Sequence, residues 1–312
     1  MALLSAAVGR VGAGEEKQAE SASTEAAPMD CRYAHPAEGR GEGPFAGFLL
    51  PKDNVFRPLL ADPKEPRFTA SYQSLRFKSR GIPGQRSGDT IDAGIAGFGA
   101  DFGLAGVRQK DGCDGVQVGL FGGVFSQFNL DTESSDLINS DFVGGLPITV
   151  RWGPFAARGR VYHQSSHLGD EFLLNNPDVD RVNLSFEAID GLLSLTMGPL
   201  RVYGGGGYLL RTEPDLERGI AQWGGELRLD PLAWPLTATV RALPIFGGDF
   251  HSYEEQDWDV SSSATGGVEL ANVLAGRRIR LMFVYLNGFL PFSQFFNTER
   301  VESYGFAAQF EL

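Results

Sequence analysis

One run of the sequence brings reactive residue types together at short spacing. It is Phe155-Ala-Ala-Arg-Gly-Arg-Val-Tyr-His-Gln-Ser-Ser-His-Leu168, with His163, Ser165 and His167 at alternate positions. A serine hydroxyl becomes a nucleophile when an imidazole takes its proton and a third group orients the imidazole. Side chains alternate across a strand, so Phe155, Ala157, Gly159, Val161, His163, Ser165 and His167 share one face. Arg158, Arg160 and Gln164 share the other. The first face is apolar for four positions and then turns polar at one end. If it meets lipid, the polar end lies near the membrane surface, with Ser165 as candidate nucleophile and His163 as candidate base. His167 is an alternative on the same face.

The orienting group is expected from the next segment. In residues 181–197, Ile189, Leu193, Leu195 and Met197 occupy odd positions. Continuing that phase turns Glu187, Ser185 and Asn183 outward, and hairpin pairing brings Glu187 close to Ser165. Glu187 is the candidate orienter and Asn183 the alternative. The competing phase puts Val182, Leu184 and Phe186 outward, and a bulge near Ala188 would serve either. An oxyanion hole is expected from backbone N–H groups of Ser166 to Gly169. Asp170 and Glu171, with Asp178 and Asp180, are candidate oxygen ligands for calcium, against the alternative of a solvated acidic loop.

Composition bounds the setting for such a strand. The chain has 312 residues, 42% hydrophobic and 21% charged, with a formal net charge of −12. That charge and the lack of a basic stripe exclude a nucleic-acid partner. No apolar run approaches the ~20 residues of a transmembrane helix, which leaves a membrane β-barrel open. The two cysteines, Cys31 and Cys113, form no metal-binding spacing. Two unpaired thiols are expected, with one disulfide as the alternative.

Residues 1–44, rich in Ala, Glu, Gly and Ser, read as a flexible N-terminal segment or a signal remnant. Residues 45–66 mix apolar residues with prolines and read as a periplasmic lead-in. From 67 to 312 alternating segments recur, near 67–78, 90–107, 115–129, 137–152, 155–168, 181–197, 200–211, 219–230, 235–247, 257–271, 277–288 and 301–312. Twelve is the even number that single-chain bacterial barrels require. Short links follow the even segments, such as Trp152-Gly-Pro154 and Met197-Gly-Pro199, and longer polar loops follow the odd ones. The expected fold is therefore all-β: a twelve-stranded antiparallel transmembrane β-barrel in the bacterial outer membrane, with both termini on the periplasmic side. The inward arginines Arg158, Arg160, Arg201, Arg228, Arg241, Arg278 and Arg280 are expected to pair with lumen carboxylates. Tyr203-Gly-Gly-Gly-Gly-Tyr208 within a strand marks a bend or a close approach.

Several stretches resemble a bacterial family of unknown function, number 1207 in the domain-of-unknown-function series. They are Phe56-Arg-Pro-Leu-Leu-Ala-Asp-Pro-Lys-Glu-Pro-Arg67, Ser134–Asn139, Tyr162-His-Gln-Ser-Ser-His-Leu-Gly-Asp-Glu171, Arg181–Glu187 and Val202–Tyr208. This resemblance covers most of residues 55–312 and implies no activity. His163-Gln164-Ser165 also resembles the His-x-Ser form of outer-membrane phospholipase A and the lipid A deacylases, although Ser166-His167 follows where those families often have Asn-Gly or Asn-Ala. It implies a serine acyl hydrolase acting on membrane lipid, phospholipid or the lipid A of lipopolysaccharide. The last segment, with Tyr304, Phe306, Ala308, Phe310 and Leu312 alternating, resembles the outer-membrane assembly signal and implies the barrel-assembly machinery as a partner. The alternative function is a non-catalytic structural barrel or a narrow pore.

Overall fold

The computed structural model describes residues 44–51, 54–79, 86–110, 113–272 and 277–311. Most of the expected flexible segment 1–44 lies outside them, as does Cys31. The strands are β1 (Phe45–Leu49), β2 (Phe68–Phe77), β3 (Thr90–Gln109), β4 (Gly115–Asn129), β5 (Leu137–Trp152), β6 (Phe155–Leu168), β7 (Ser185–Met197), β8 (Leu200–Glu213), β9 (Gly219–Arg228), β10 (Trp234–Pro235), β11 (Val240–Tyr253), β12 (Val260–Asn272), β13 (Arg277–Phe289) and β14 (Arg300–Glu311). One helix, α1 (Asp170–Asn175), follows β6.

Twelve of the strands close an antiparallel ring: β3 pairs with β2 and β4, β2 pairs with β14, and β9 pairs with β11. The short β1 and β10 add to the ends of β3 and β11. Closure gives every ring strand two partners, the arrangement a sheet needs in lipid. The exterior carries exposed apolar residues all round, among them Phe98, Phe102, Ile148, Phe155, Leu193 and Phe306. The expected transmembrane barrel is thus the fold observed, and β4, β5 and β6 match their expected bounds residue for residue. In the tetraglycine of β8, a Cβ at Gly205 would lie 1.9 Å from the Gly191 carbonyl oxygen. The close approach expected there is the neighbouring strand itself.

The lumen departs from expectation. Residues 54–67 do not stay outside the barrel as a lead-in. They run through its interior as a plug, with Phe56, Leu59, Leu60, Asp62 and Glu65 buried. Prolines 58, 63 and 66 lack an N–H and keep the segment out of the sheet. Inward side chains satisfy it instead. Glu226 accepts the Leu60 N–H at 2.8 Å and pairs with Arg57 at 3.1 Å. Glu65 pairs with Arg158 at 2.6 Å, and Lys64 with Asp141 at 2.9 Å. The Phe56 ring lies between the Arg158 and Arg201 guanidiniums, 4.9 and 4.5 Å from its centroid.

The remaining inward arginines pair with wall carboxylates: Arg160 with Asp190, Arg201 with Glu226, Arg228 with Glu269, Arg278 with Glu311, and Arg280 with Glu269 and Glu311. Arg241 differs, being exposed at the end of β11. At the end carrying the long loops, the β13–β14 connection folds inward. Leu290 and Phe295 join Leu75, Phe77, Ile91, Ile138, Leu168 and Phe172 of α1 in one buried cluster. Phe292 packs on Phe125, and the Ser293 N–H donates to Asp141. Plug and cap meet at Asp141. Cys113 is disulfide-bonded, contrary to the expectation of unpaired thiols; the chain's other cysteine is Cys31.

Candidate functional site

On β6 the odd positions face outward, as Phe155 and Val161 show, while Ala156, Arg158, Gln164 and Ser166 are buried in the lumen. Register places His163 opposite Glu187 and Ser165 opposite Ser185 on β7. His163 Nδ1 lies 3.1 Å from Glu187 Oε1, with side chains 51% and 41% exposed. Glu187 faces outward because Phe186, Ala188 and Leu192 point inward. The outward phase of Glu187 is therefore the one that forms. The register shift beside it falls between Glu187 and Ala188, and the extra residue is Leu210 of β8. Arg211 pairs with Glu187 across that shift.

A carboxylate on Nδ1 fixes the imidazole and leaves Nε2 for a proton acceptor role. Ser165 is half-buried on the same face, but among the described residues no hydrogen bond joins it to His163. Two of the oxyanion donors expected on the backbone are engaged elsewhere: the Ser166 N–H donates to Leu184 and the Gly169 N–H to Ile138, at 2.9 and 3.0 Å. Asn183 precedes β7 and lines an open groove with Ser185, Glu187, Arg211, Thr212 and Glu213, yet it is Glu187 that reaches His163. His167 is exposed and packs edge-on against Phe142 at 5.7 Å.

Asp170 and Glu171 form the first turn of α1 and are exposed. Neither belongs to a group of converging ligand side chains among the described residues. Their loop is held instead through Asp136. Hydrogen bonding from Ser134 holds the Asp136 carboxyl below the usual carboxylate range against the opposing effect of desolvation, helped by Asn175 and Thr132. Asn175 donates to Asp136 at 2.6 Å. Phe172 then anchors the helix against Phe295.

A second constellation lies inside the barrel. A cavity of about 100 Å³ sits between plug and cap, lined by Asp62, Arg160, Tyr162, Gln222, Asp249 and His251 among others. Asp249 and His251 alternate inward on β11. The segment expected from alternation, 235–247, stops short of both, whereas β11 runs on to Tyr253. The spacing of Asp249, His251 and Tyr253 was the signal available.

Comparison with known families matches residues 15–312 to the family described as "Protein of unknown function (DUF1207)". The chain belongs to this family. The DUF1207 stretches quoted above fall on the plug, on the loop-end starts of β5 and β7, on the loop-end half of β6, and on the glycine-rich part of β8. No curated protein matches the chain. Among solved structures it is similar to outer-membrane expressed OmpT of Vibrio cholerae at 7% identity and TM-score 0.31, covering 88% of this chain and 100% of that one. It is also similar to BamA from Haemophilus ducreyi lacking POTRA domains 1–3, at 10% identity and TM-score 0.29, covering 80% and 71%. A third is OccK5 of Pseudomonas aeruginosa at 7% identity and TM-score 0.28, covering 78% and 96%. The barrel of this DUF1207 protein is defined by its own strand pairing.

Proposed function

We propose that the protein is an outer-membrane barrel with an occluded lumen whose outward, loop-end face hydrolyses an acyl ester of an outer-leaflet lipid. The observation that carries this reading is the contact between His163 and Glu187 on the outward face toward the loop end, with Ser165 on the same face. In the reaction Ser165 Oγ attacks the ester carbonyl and its proton passes to His163 Nε2. Glu187 stabilises the imidazolium through Nδ1. The leaving alkoxide takes that proton, and water then cleaves the acyl-serine and restores the hydroxyl. Arg211, which lines the groove with Glu187, is the candidate cationic donor for the developing oxyanion. The apolar exterior supports the outer-membrane setting, and assembly of β14 by the barrel-assembly machinery belongs to the same reading.

A non-catalytic barrel is the second reading. It is favoured by the missing Ser165–His163 hydrogen bond and by the engaged N–H groups of Ser166 and Gly169. The plug and its ion pairs weigh against the narrow pore. The test is fatty-acid release from phospholipid and from lipid A by folded, detergent-solubilised protein, beside Ser165→Ala. Release by the parent that is lost in the variant is the expected result. Equal release by both, or none from either lipid, overturns the hydrolase.

A further inference from the structure

Asp62 of the plug meets Asp249 and His251 of the wall, and one ligand atom from each lies within 4.8 Å of the others. Asp249 is almost wholly buried, and its two oxygens are treated differently. Oδ2 accepts the Tyr203 hydroxyl at 2.7 Å and the Gln222 amide at 2.9 Å. Oδ1 faces His251 Nδ1 at 2.8 Å, an ion pair when the imidazole is protonated, and accepts no other hydrogen bond.

Charge points the same way. Neither Asp62 nor Asp249 has a lysine or arginine partner for its carboxylate among the described residues. The two cations lining the cavity are committed elsewhere, Lys64 to Asp141 and Arg160 to Asp190. His251 is the one basic side chain facing these two buried carboxylates among the described residues, and even as an imidazolium it balances only one of them, leaving a negative excess that a divalent cation offsets. The second layer is already in place. Gln222 donates to both carboxylates, at 2.9 Å to Asp249 and 3.3 Å to Asp62, and the Lys64 N–H donates to Asp62 Oδ1 at 2.8 Å. Tyr203 reaches Asp249 by passing over Gly224, where a Cβ would stand 2.3 Å from its hydroxyl oxygen.

We propose that Asp62, Asp249 and His251 bind a divalent first-row transition-metal ion that clamps the plug to the barrel wall. The donor set of one imidazole and two carboxylates suits zinc or manganese, whereas calcium prefers oxygen ligands alone. The site faces the opposite side of the wall from His163 and does not depend on the hydrolase reading.

The full chain, refolded from metal-free denatured material with Zn2+, Mn2+ or Ca2+ and then dialysed, is analysed for retained metal. Heat-modifiable migration reports folding in parallel. One zinc or manganese ion per chain is expected, with no calcium. Asp62→Asn and His251→Gln each lower the affinity at least tenfold, measured by competition with a chromophoric chelator. Asp62 lies outside the strands, so Asp62→Asn decides the question if His251→Gln fails to fold. No stoichiometric ion in the folded parent, or affinity unchanged in Asp62→Asn, overturns the site.

Discussion

Two histidine–carboxylate pairs stand on opposite sides of the same wall, and they are built differently. His251 and Asp249 are 2.8 Å apart in the lumen, with side chains 22% and 0% exposed. His163 and Glu187 are 3.1 Å apart on the outside, each about half exposed. The inner carboxylate is fixed by Tyr203 and Gln222 and faces a plug residue. The outer one is the only hydrogen-bond partner of its histidine among the described residues, and it lines an open groove. Burial makes each unmatched inner charge costly, so the interior must be completed by partners. The outer pair contributes at most about 1 kcal/mol to stability, because water screens it. The interior is therefore organised for holding, whereas the outer pair stays open to solvent.

The contrast is open to breakage, beginning with the plug. Replacing residues 55–66 by a Gly/Ser linker leaves Glu226, Arg158 and Asp141 without their plug partners. The parent is expected to be silent in planar bilayers, and the replacement to conduct and to lose heat resistance. A conducting parent would end the description of an occluded lumen.

Next is the single pair Glu65–Arg158. Glu65→Ala strands a buried guanidinium and is expected to cost about 3–5 kcal/mol in urea unfolding. Glu65→Leu with Arg158→Met should recover most of that loss, and equal losses in the single and double variants would contradict the account. Gly224→Ala is smaller. It forces Tyr203 away from Asp249 and should cost about 1–3 kcal/mol, as overpacking does. Tyr203→Phe, which keeps the ring, separates the packing from the hydrogen bond.

On the outside, Ser165→Ala, His163→Ala and Glu187→Gln should each move stability by less than about 1 kcal/mol. On the hydrolase reading, Ser165→Ala and His163→Ala lower lipid hydrolysis about 10²-fold or more, general-base removal alone being worth that much. A large stability loss in these variants would show that the outer pair is structural. The smallest effect concerns α1. The Asp136 carboxyl is held below its usual range, so its contribution is complete above the unfolded value near ~4 and is lost as pH falls through the lower folded value. Hydrogen-exchange protection of α1 should fall over that acid range, and Asp136→Asn should remove the pH dependence.

By itself the sequence determined the wall. Alternation of apolar and polar residues fixes which face of each strand meets lipid, and the spacing of turns fixes the strand count and the end that carries the loops. It also put His163 and Ser165 on one outward face, while leaving two phases open for Glu187. Cross-strand register then decided that Glu187 meets His163 directly rather than Ser165. The lumen lay beyond the sequence, since its contacts join residues far apart: Leu60 with Glu226, Ser263 with Ala61, Asp62 with Asp249 and His251. A proline-rich stretch with mixed charges carries no period of its own, and it becomes a plug only where a closed barrel surrounds it with matching side chains. Register and closure are collective properties of twelve strands, so only the tertiary structure could bring a plug aspartate to a wall histidine.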